Sequence, residues 1–145
     1  YTIERHDIMS ERAKKNIEEF KLQEKIKLFE GDARDILPEI NEKFDFIFMD
    51  SAKSKYIEFF PICMKLLNKG GIMIVDDIFQ GGTILDDEKN VARKWRKIHR
   101  RLNQFLDFIQ GDDAIKTTLI PLGDGIAMIQ KLEEKDYSYI LSQLK

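Results

Sequence analysis

The sequence predicts one α/β domain built around a mostly parallel sheet. Strand-like and helix-like segments alternate along most of the chain, which is the order that gives parallel strands joined by helices. Residues 44–49 and 72–75 are almost wholly apolar, as expected for strands covered on both faces. Near the carboxyl end, the Gly123-Asp124-Gly125 turn separates two further strand-like segments and predicts an antiparallel hairpin.

The spacing of apolar residues and the turn residues between them define each element in order. Strands are expected at residues 1–3, 26–29, 44–49, 72–75, 116–121 and 126–130. Helices are expected at residues 7–20, 33–40, 56–67, 87–109 and 133–145. With no repeat, low-complexity segment or linker, residues 1–145 are expected to form a single domain.

The longest predicted helix covers about residues 87–109. Its apolar residues recur at steps of four and three and share one face: Val91, Trp95, Ile98, Leu102, Phe105 and Ile109. The opposite face carries basic residues only: Arg93, Lys94, Arg96, Lys97, Arg100 and Arg101. Because neighbouring like charges on a helix repel, this stripe predicts a phosphate-contact surface. The alternative interpretation is a solvated face.

Composition excludes several classes of protein. The net charge of −2 on 145 residues excludes a uniformly basic nucleic-acid binder, and 43% hydrophobic residues argue against disorder. A lone cysteine, Cys63, and two histidines exclude a disulfide framework and a Cys/His zinc site. Without a membrane-length apolar run, the expected location is the cytoplasm. The chain opens at Tyr1 within a strand-like segment, so an N-terminal part is expected to be missing.

Acidic residues stand at the ends of four predicted strands: Glu4, Asp32, Asp50 and the pair Asp76-Asp77. Ligands of open α/β sheets bind at the carboxyl ends of the strands, so these acids are expected to converge on one edge. An acid at the position of Glu4 can accept both hydrogen bonds of a ribose diol. The alternative is that each acid caps the next helix, and this interpretation is favoured for Asp32 alone.

The carboxylates of Asp50, Asp76 and Asp77 predict a metal site. Three neighbouring carboxylates repel one another unless a cation lies among them, and oxygen-only ligands suit Mg²⁺ or another hard cation. Such a cation could hold two adjacent substrate oxygens and lower the pKa of a hydroxyl. Lys53 follows Asp50 by three positions and could accept that proton as a general base, the alternative being a solvated loop lysine. Cys63 is expected to pack in a helix rather than act as a nucleophile.

Three stretches carry a family resemblance: residues 44–56 (FDFIFMDSAKSKY), 69–78 (KGGIMIVDDI) and 121–129 (PLGDGIAMI). Together they resemble the metal- and S-adenosylmethionine-dependent O-methyltransferases, the family of catechol and caffeoyl-CoA O-methyltransferases and their bacterial relatives. The resemblance covers nearly the whole chain. It implies a Rossmann-like class I methyltransferase sheet whose first strand and glycine-rich loop would precede Tyr1, and it implies a homodimer.

The resemblance also implies a role for each matching residue. Asp50, Asp76 and Asp77 match metal ligands, although the family commonly has Asn at the position of Asp77. Lys53 matches the base, and Tyr56 matches a position near the site whose role is open. The positions that match the cofactor site are Glu4 at the ribose, Gly31, Asp32 and Ala33 beside the adenine, and Asp50.

The implied reaction is transfer of a methyl group from S-adenosylmethionine to a hydroxyl oxygen. The bacterial branch of the family includes the tRNA 5-hydroxyuridine methyltransferase, and the basic stripe favours tRNA over a small catechol-like phenol. The residues expected to contact tRNA are Arg93, Arg96, Lys97, Arg100 and Arg101. Two other functions stay open, a nicotinamide dehydrogenase and a non-catalytic RNA-binding module. The acid cluster and the hairpin argue against the dehydrogenase.

Overall fold

The computed structural model describes residues 1–144, which form two compact units with separate sheets. The first unit comprises residues 1–41 and the second begins at Glu42. The prediction that the whole chain is one domain stays a prediction.

The first unit is a small α/β arrangement. Its elements are β1 (Thr2–Glu4), α1 (Asp7–Glu19), β2 (Leu28–Glu30) and α2 (Ala33–Ile36), followed by a 3₁₀ turn at Leu37–Glu39. Strands β1 and β2 pair in parallel, with Glu4 beside Glu30. Because parallel strands end at the same edge, the residues that follow β1 and β2 come together there. The predicted order of these elements is confirmed, with shifts of a few residues at their ends.

The second unit contains a four-stranded mixed sheet with helices. Its elements are β3 (Phe44–Met49), α3 (Tyr56–Leu66), β4 (Leu67–Val75), α4 (Arg96–Gln110), β5 (Ile115–Ile120), β6 (Ile126–Lys131) and α5 (Tyr139–Gln143). The strand order is β3-β4-β6-β5. The predicted hairpin of β5 and β6 is confirmed. Only β3 and β4 are parallel in this sheet, because β6 inserts antiparallel between β4 and β5.

Helix α4 begins at Arg96, so the prediction of a helix from residue 87 is wrong. Asp87 accepts a hydrogen bond from the Lys89 amide and caps a 3₁₀ turn at Glu88–Asn90, and Val91 is extended. These local bonds end the turn before a helix can propagate. Trp95, which lies on the apolar face of the predicted helix, is 46% exposed. A helix is predicted over residues 133–145, and the structure has a shorter one at Tyr139–Gln143. Residue 145, the last of the predicted helix, lies outside the described residues.

The prediction that β3 is covered on both faces is also wrong. Strand β3 has the predicted bounds, but Phe46 and Phe48 are 58% and 57% exposed. Strand β3 is at the edge of its sheet. Phe46 and Phe48 share one face of this strand, whereas Met49 lies on the other face and is buried.

Two buried groups stabilise the second unit. Phe60 makes edge-on ring contacts with Phe105, Phe108 and Tyr137 at centroid distances of 5.8, 5.4 and 5.1 Å. The Lys131 ammonium is buried and donates to the carbonyl oxygens of residues 64 and 67, both at 2.8 Å, at the end of α3. No helix in residues 1–144 is long and apolar enough to cross a membrane.

Candidate active site

The carboxyl ends of β3 and β4 bring the predicted acids of the second unit to one edge. Met49 pairs with Val75, so Asp50 and Asp76 each follow directly after a paired residue. The Asp76 amide donates to the Met49 carbonyl at 3.1 Å, which extends the strand contact by one residue. The two apolar runs pair in parallel and end together. This pairing brings the acidic residues that follow them to the same edge of the sheet.

Tyr56, whose role the resemblance leaves open, contacts the main chain of one of these acids. Its ring is fully buried and its hydroxyl donates to the main-chain carbonyl of Asp76 at 2.9 Å. Burial raises the pKa of the Tyr56 phenol, and the negative charges of Asp50, Asp77 and Asp76 raise it further. All three carboxylates therefore act on one side chain, and Tyr56 holds the main chain just beyond β4.

Asp77 occupies a left-handed backbone conformation with φ of 56°. Asp and Asn adopt this conformation more readily than other non-glycine residues, because their short side chains bond locally. The Asp77 amide donates to Asp76 Oδ1 at 2.8 Å, which supports the turn. The backbone therefore explains why this position suits either Asp or Asn.

Lys53 contacts two carboxylates and is not a solvated loop lysine. Its Nζ lies 2.9 Å from Asp124 Oδ2 and 3.5 Å from Asp77 Oδ2, and its side chain is 24% exposed. The prediction that Lys53 belongs to the same site as the acids after β3 and β4 agrees with this placement. Its function as a base stays a prediction.

Asp124 is a site residue that the sequence analysis treats only as part of a turn. Burial disfavours its charged form, but hydrogen bonds from Lys53 and from the Gly81 amide outweigh burial and lower the pKa of the Asp124 carboxyl. The one sequence signal that could have found it is its place in the PLGDGI stretch of the resemblance. A contact across 71 positions of the chain leaves no local pattern.

The metal site stays a prediction. Oxygen donors from Asp50, Asp76 and Asp77 suit a hard divalent cation in their chemistry. Within residues 1–144, however, no group of three His, Cys, Asp or Glu side chains is arranged to hold a metal ion. One oxygen of Asp76 already accepts the Asp77 amide, and Asp77 pairs with Lys53.

The residues predicted to contact a cofactor in the first unit lie at the ends of β1 and β2. The Gly31 amide donates to the Glu4 carbonyl at 3.0 Å, and Glu4 Oε1 accepts the His6 amide at 2.8 Å. Asp32 caps α2, whose first residue is Ala33, by accepting the Arg34 amide at 2.9 Å. The hydrogen bonds from the Arg34 guanidinium and amide hold the pKa of Asp32 well below its usual range. The capping interpretation is thus confirmed, and adenine contact stays a prediction.

The basic stripe is partly used within the chain. Arg96 donates to the carbonyls of Val91 and Lys89, Arg100 pairs with Glu88 at 2.9 Å, and Arg101 donates to the Leu144 carbonyl. Arg93 and Lys94 precede α4 and so lie outside its basic face. Arg93 and Lys97 are exposed, with no ion pair among the described residues. Contact with tRNA stays a prediction for all five residues, of which Arg93 and Lys97 have no such contact among the described residues.

The chain matches the model of one protein family. The O-methyltransferase family model matches residues 1–132. The catechol O-methyltransferase of Niastella koreensis is 34% identical over 122 residues, covering 80% of this chain and 54% of that protein. Caffeoyl-CoA O-methyltransferase 1 of Zea mays is 27% identical over 124 residues, covering 81% of this chain and 48% of that protein.

A solved structure gives the same fold. The O-methyltransferase TomG of Streptomyces achromogenes, involved in tomaymycin synthesis and solved with S-adenosylmethionine, has a TM-score of 0.79 at 23% identity. The match covers 90% of this chain and 60% of TomG. The chain spans about half the length of the Niastella koreensis and Zea mays relatives, and 37% of the length of probable caffeoyl-CoA O-methyltransferase 1 of Dictyostelium discoideum.

Proposed function

Because the chain belongs to the O-methyltransferase family, we propose that it methylates a hydroxyl of a small aromatic substrate with two adjacent oxygens, such as a catechol. The methyl donor is S-adenosylmethionine. The observation that supports the proposal best is the cluster at the ends of β3 and β4. There Lys53 Nζ lies 2.9 Å from Asp124 and 3.5 Å from Asp77. The names of the matching relatives, which include a catechol O-methyltransferase, point to the same substrate class.

The reaction is a direct displacement. The Lys53 ammonium first releases one proton to solvent. The substrate hydroxyl then gives its proton to the neutral Lys53 amine or directly to solvent, and its oxygen attacks the methyl carbon in line with the carbon–sulfur bond. An oxygen–carbon bond forms, the carbon–sulfur bond breaks, and S-adenosylhomocysteine leaves with the electron pair. The work of the protein is orientation of the two reactants and stabilisation of the charge that develops on the oxygen.

Two sets of residues support binding in this proposal. In the first unit, Glu4 would accept the hydrogen bonds of the ribose diol, and Gly31, Asp32 and Ala33 would face the adenine. In the second unit, Asp50, Asp76 and Asp77 would hold Mg²⁺, which would supply positive charge beside the substrate oxygens when bound.

The test is a transfer assay with S-adenosylmethionine, Mg²⁺ and catechol, followed by mass spectrometry. The expected products are the monomethyl ether and S-adenosylhomocysteine in equal amounts. Lys53→Met should lower the rate by roughly 10²-fold or more, the usual effect of losing a general base. Lys55→Met is the control, because Lys55 pairs with Glu58 at 2.7 Å in the same loop. No methyl ether above the protein-free rate would refute the proposal, and an equal rate in Lys53→Met would refute the role of Lys53 as the base.

A second proposal is that the acceptor is 5-hydroxyuridine in tRNA. Its adjacent ring oxygens match those of a catechol, and the exposed cations Arg93 and Lys97 support phosphate contact. The contacts that Arg96, Arg100 and Arg101 make within the chain rank it below the phenol.

Charge reversal separates the two substrates. If tRNA is the acceptor, Arg93→Glu with Lys97→Glu should weaken tRNA binding and flatten its salt dependence, while leaving catechol methylation unchanged. A gel-shift titration at two salt concentrations measures this. Unchanged, salt-insensitive tRNA binding in the double variant would leave these cations as a solvated face.

A further inference from the structure

Asp124 joins two segments of the candidate site through its two carboxylate oxygens. Asp124 Oδ2 accepts from Lys53 Nζ at 2.9 Å, and Asp124 Oδ1 accepts from the Gly81 amide. Gly81 belongs to the segment that follows Asp77 after β4. One side chain in the β5–β6 turn therefore contacts both the lysine after β3 and the loop after β4.

The main chain, and not the ion pair, determines where Asp124 lies. The Phe79 amide donates to the Asp124 carbonyl at 2.8 Å, and the Ile78 amide donates to the Gly125 carbonyl at 3.1 Å. Gly125 has a φ of 83°, and a Cβ there would overlap the Phe79 ring. The turn thus packs directly against residues 78–79, which presents the carboxylate at a defined position.

Lys53 needs such a partner. A lysine side chain is a point charge on a flexible four-carbon stem, so its position depends on what its ammonium contacts. Of its two carboxylate partners, Asp124 is nearer than Asp77, at 2.9 against 3.5 Å. Asp124 is also more enclosed, with 28% of its side chain exposed against 46% for Asp77.

We infer that Asp124 is a positioning residue, which holds the Lys53 ammonium beside Asp77 and ties it to the loop after β4. The inference deepens the proposed function, on which its catalytic consequence rests. The placement of Lys53 by Asp124 does not depend on that function, so the two can fail separately.

The placement is tested by NMR of the lysine side-chain ammonium groups in the full chain. An ammonium held in an ion pair exchanges its protons slowly and gives a sharp signal at low temperature. The Lys53 signal, assigned by its loss in Lys53→Met, should be sharp in the unmodified protein and broadened beyond detection in Asp124→Asn. Asp124→Glu should recover it. Asp113→Asn, at an exposed site in the loop before β5, should leave it unchanged.

Hydrogen exchange at the Gly81 amide distinguishes loss of the ion pair from unfolding of the site. The amide side chain introduced by Asp124→Asn keeps an oxygen that can accept from the Gly81 amide, so hydrogen exchange at Gly81 should stay slow in this variant. Slow exchange together with a lost Lys53 signal supports the inference. A Lys53 signal that is unchanged in Asp124→Asn overturns it, and so does loss of the signal only together with Gly81 protection.

The catalytic consequence is a lower kcat with little change in KM. With catechol, Asp124→Asn should lower kcat roughly tenfold or more and leave KM within about twofold, because a displaced lysine loses part of its contribution to proton transfer. Asp124→Glu should restore part of kcat. A raised KM at constant kcat contradicts the positioning role. If the unmodified chain transfers no methyl group, the proposed function fails, and the Lys53 signal still decides the placement.

Discussion

Single residues near the ends of β3 and β4, together with Asp124 in the β5–β6 turn, form the candidate active site. Lys53 contacts both Asp124 and Asp77, and the Tyr56 hydroxyl donates a hydrogen bond to the main-chain carbonyl of Asp76. The backbone of Asp77 is left-handed, which restricts the residues that fit there. Each of these features depends on a side chain or conformation that a substitution can remove by itself.

Cys63 should be chemically inert in the folded protein. The residue is 5% exposed, and burial raises the pKa of its thiol to about 12. Alkylation by iodoacetamide should therefore stay slow at pH 8 and accelerate only on unfolding in urea. Rapid alkylation at pH 8 without denaturant would contradict the buried placement.

The same thiol gives a pH dependence of stability. Its pKa is raised from 9.0 to about 12 on folding, so the folded state keeps the proton longer than the unfolded chain. This contribution to stability is fully present below pH 9 and is lost as pH rises towards 12. Cys63→Ala should remove it, which urea unfolding between pH 8 and pH 10.5 can measure. An identical slope in both proteins would contradict this assignment.

Asp124 shows what sequence analysis cannot supply at this scale. Asp50, Asp76, Asp77 and Lys53 were predicted as site residues because they follow apolar runs at recognisable positions. The role of Asp124 depends on a contact across 71 residues, which no local spacing encodes.

At the scale of elements, Lys131 joins β6 to the end of α3. Its buried ammonium donates to the carbonyls of Met64 and Leu67. These are carbonyls at a helix end, which have no partner within the helix. The lysine therefore acts as a helix cap supplied by a strand.

Lys131→Met should destabilise the protein by about 2–4 kcal/mol, because two buried carbonyls lose their donor. Urea unfolding followed by circular dichroism measures the change. Lys116→Met, on the exposed side of the neighbouring strand β5, should change stability by less than about 0.5 kcal/mol. Equal effects of the two substitutions would show that the capping contact does not stabilise the fold.

The β5–β6 turn is tested by two glycines of nearly equal backbone angle. Gly125 and Gly70 have φ of 83° and 84°, but only at Gly125 would a Cβ meet the Phe79 ring. Gly70→Ala should cost about 1–2 kcal/mol from backbone strain alone. Gly125→Ala should cost at least about 3 kcal/mol, because the added methyl group also displaces Phe79. Equal losses in urea unfolding would mean that the turn is not packed against Phe79.

The boundaries of elements were predictable where apolar pattern and backbone agree. Strand β3 has the predicted bounds of residues 44–49, because an apolar run between polar residues has no competing interpretation. Helix α4 does not, because its apolar spacing continues through Val91 and Trp95 although the backbone there is not helical. The hydrogen bond from the Lys89 amide to Asp87 competes with helix formation. The spacing of apolar residues carries no information about this bond.

At the scale of the whole molecule, the order of elements was predictable and the covering of the sheets was not. Alternating strands and helices and the final hairpin follow from the sequence and are present in the structure. The exposure of Phe46 and Phe48 does not follow, because burial depends on what packs against a face and not on the face alone.

The proposed roles of Glu4 and Lys53 lead to separate expectations for cofactor binding and for turnover. Residues 1–41 carry Glu4 and the Gly31–Ala33 segment at the ends of paired strands, whereas the candidate base lies in the second unit. Substitutions at Glu4 should therefore change the affinity for the cofactor, and Lys53→Met should change turnover while leaving that affinity within about twofold.

The most direct test of the account is calorimetric titration of the chain with S-adenosylhomocysteine. The expected result is saturable binding with one site per chain, weakened roughly tenfold or more by Glu4→Gln, which removes one acceptor of the ribose diol. Glu19→Gln, at an exposed position in α1, should bind as the unmodified chain does. Absence of saturable binding, or equal affinity in Glu4→Gln, would contradict the proposal that this chain binds the methyl donor through Glu4.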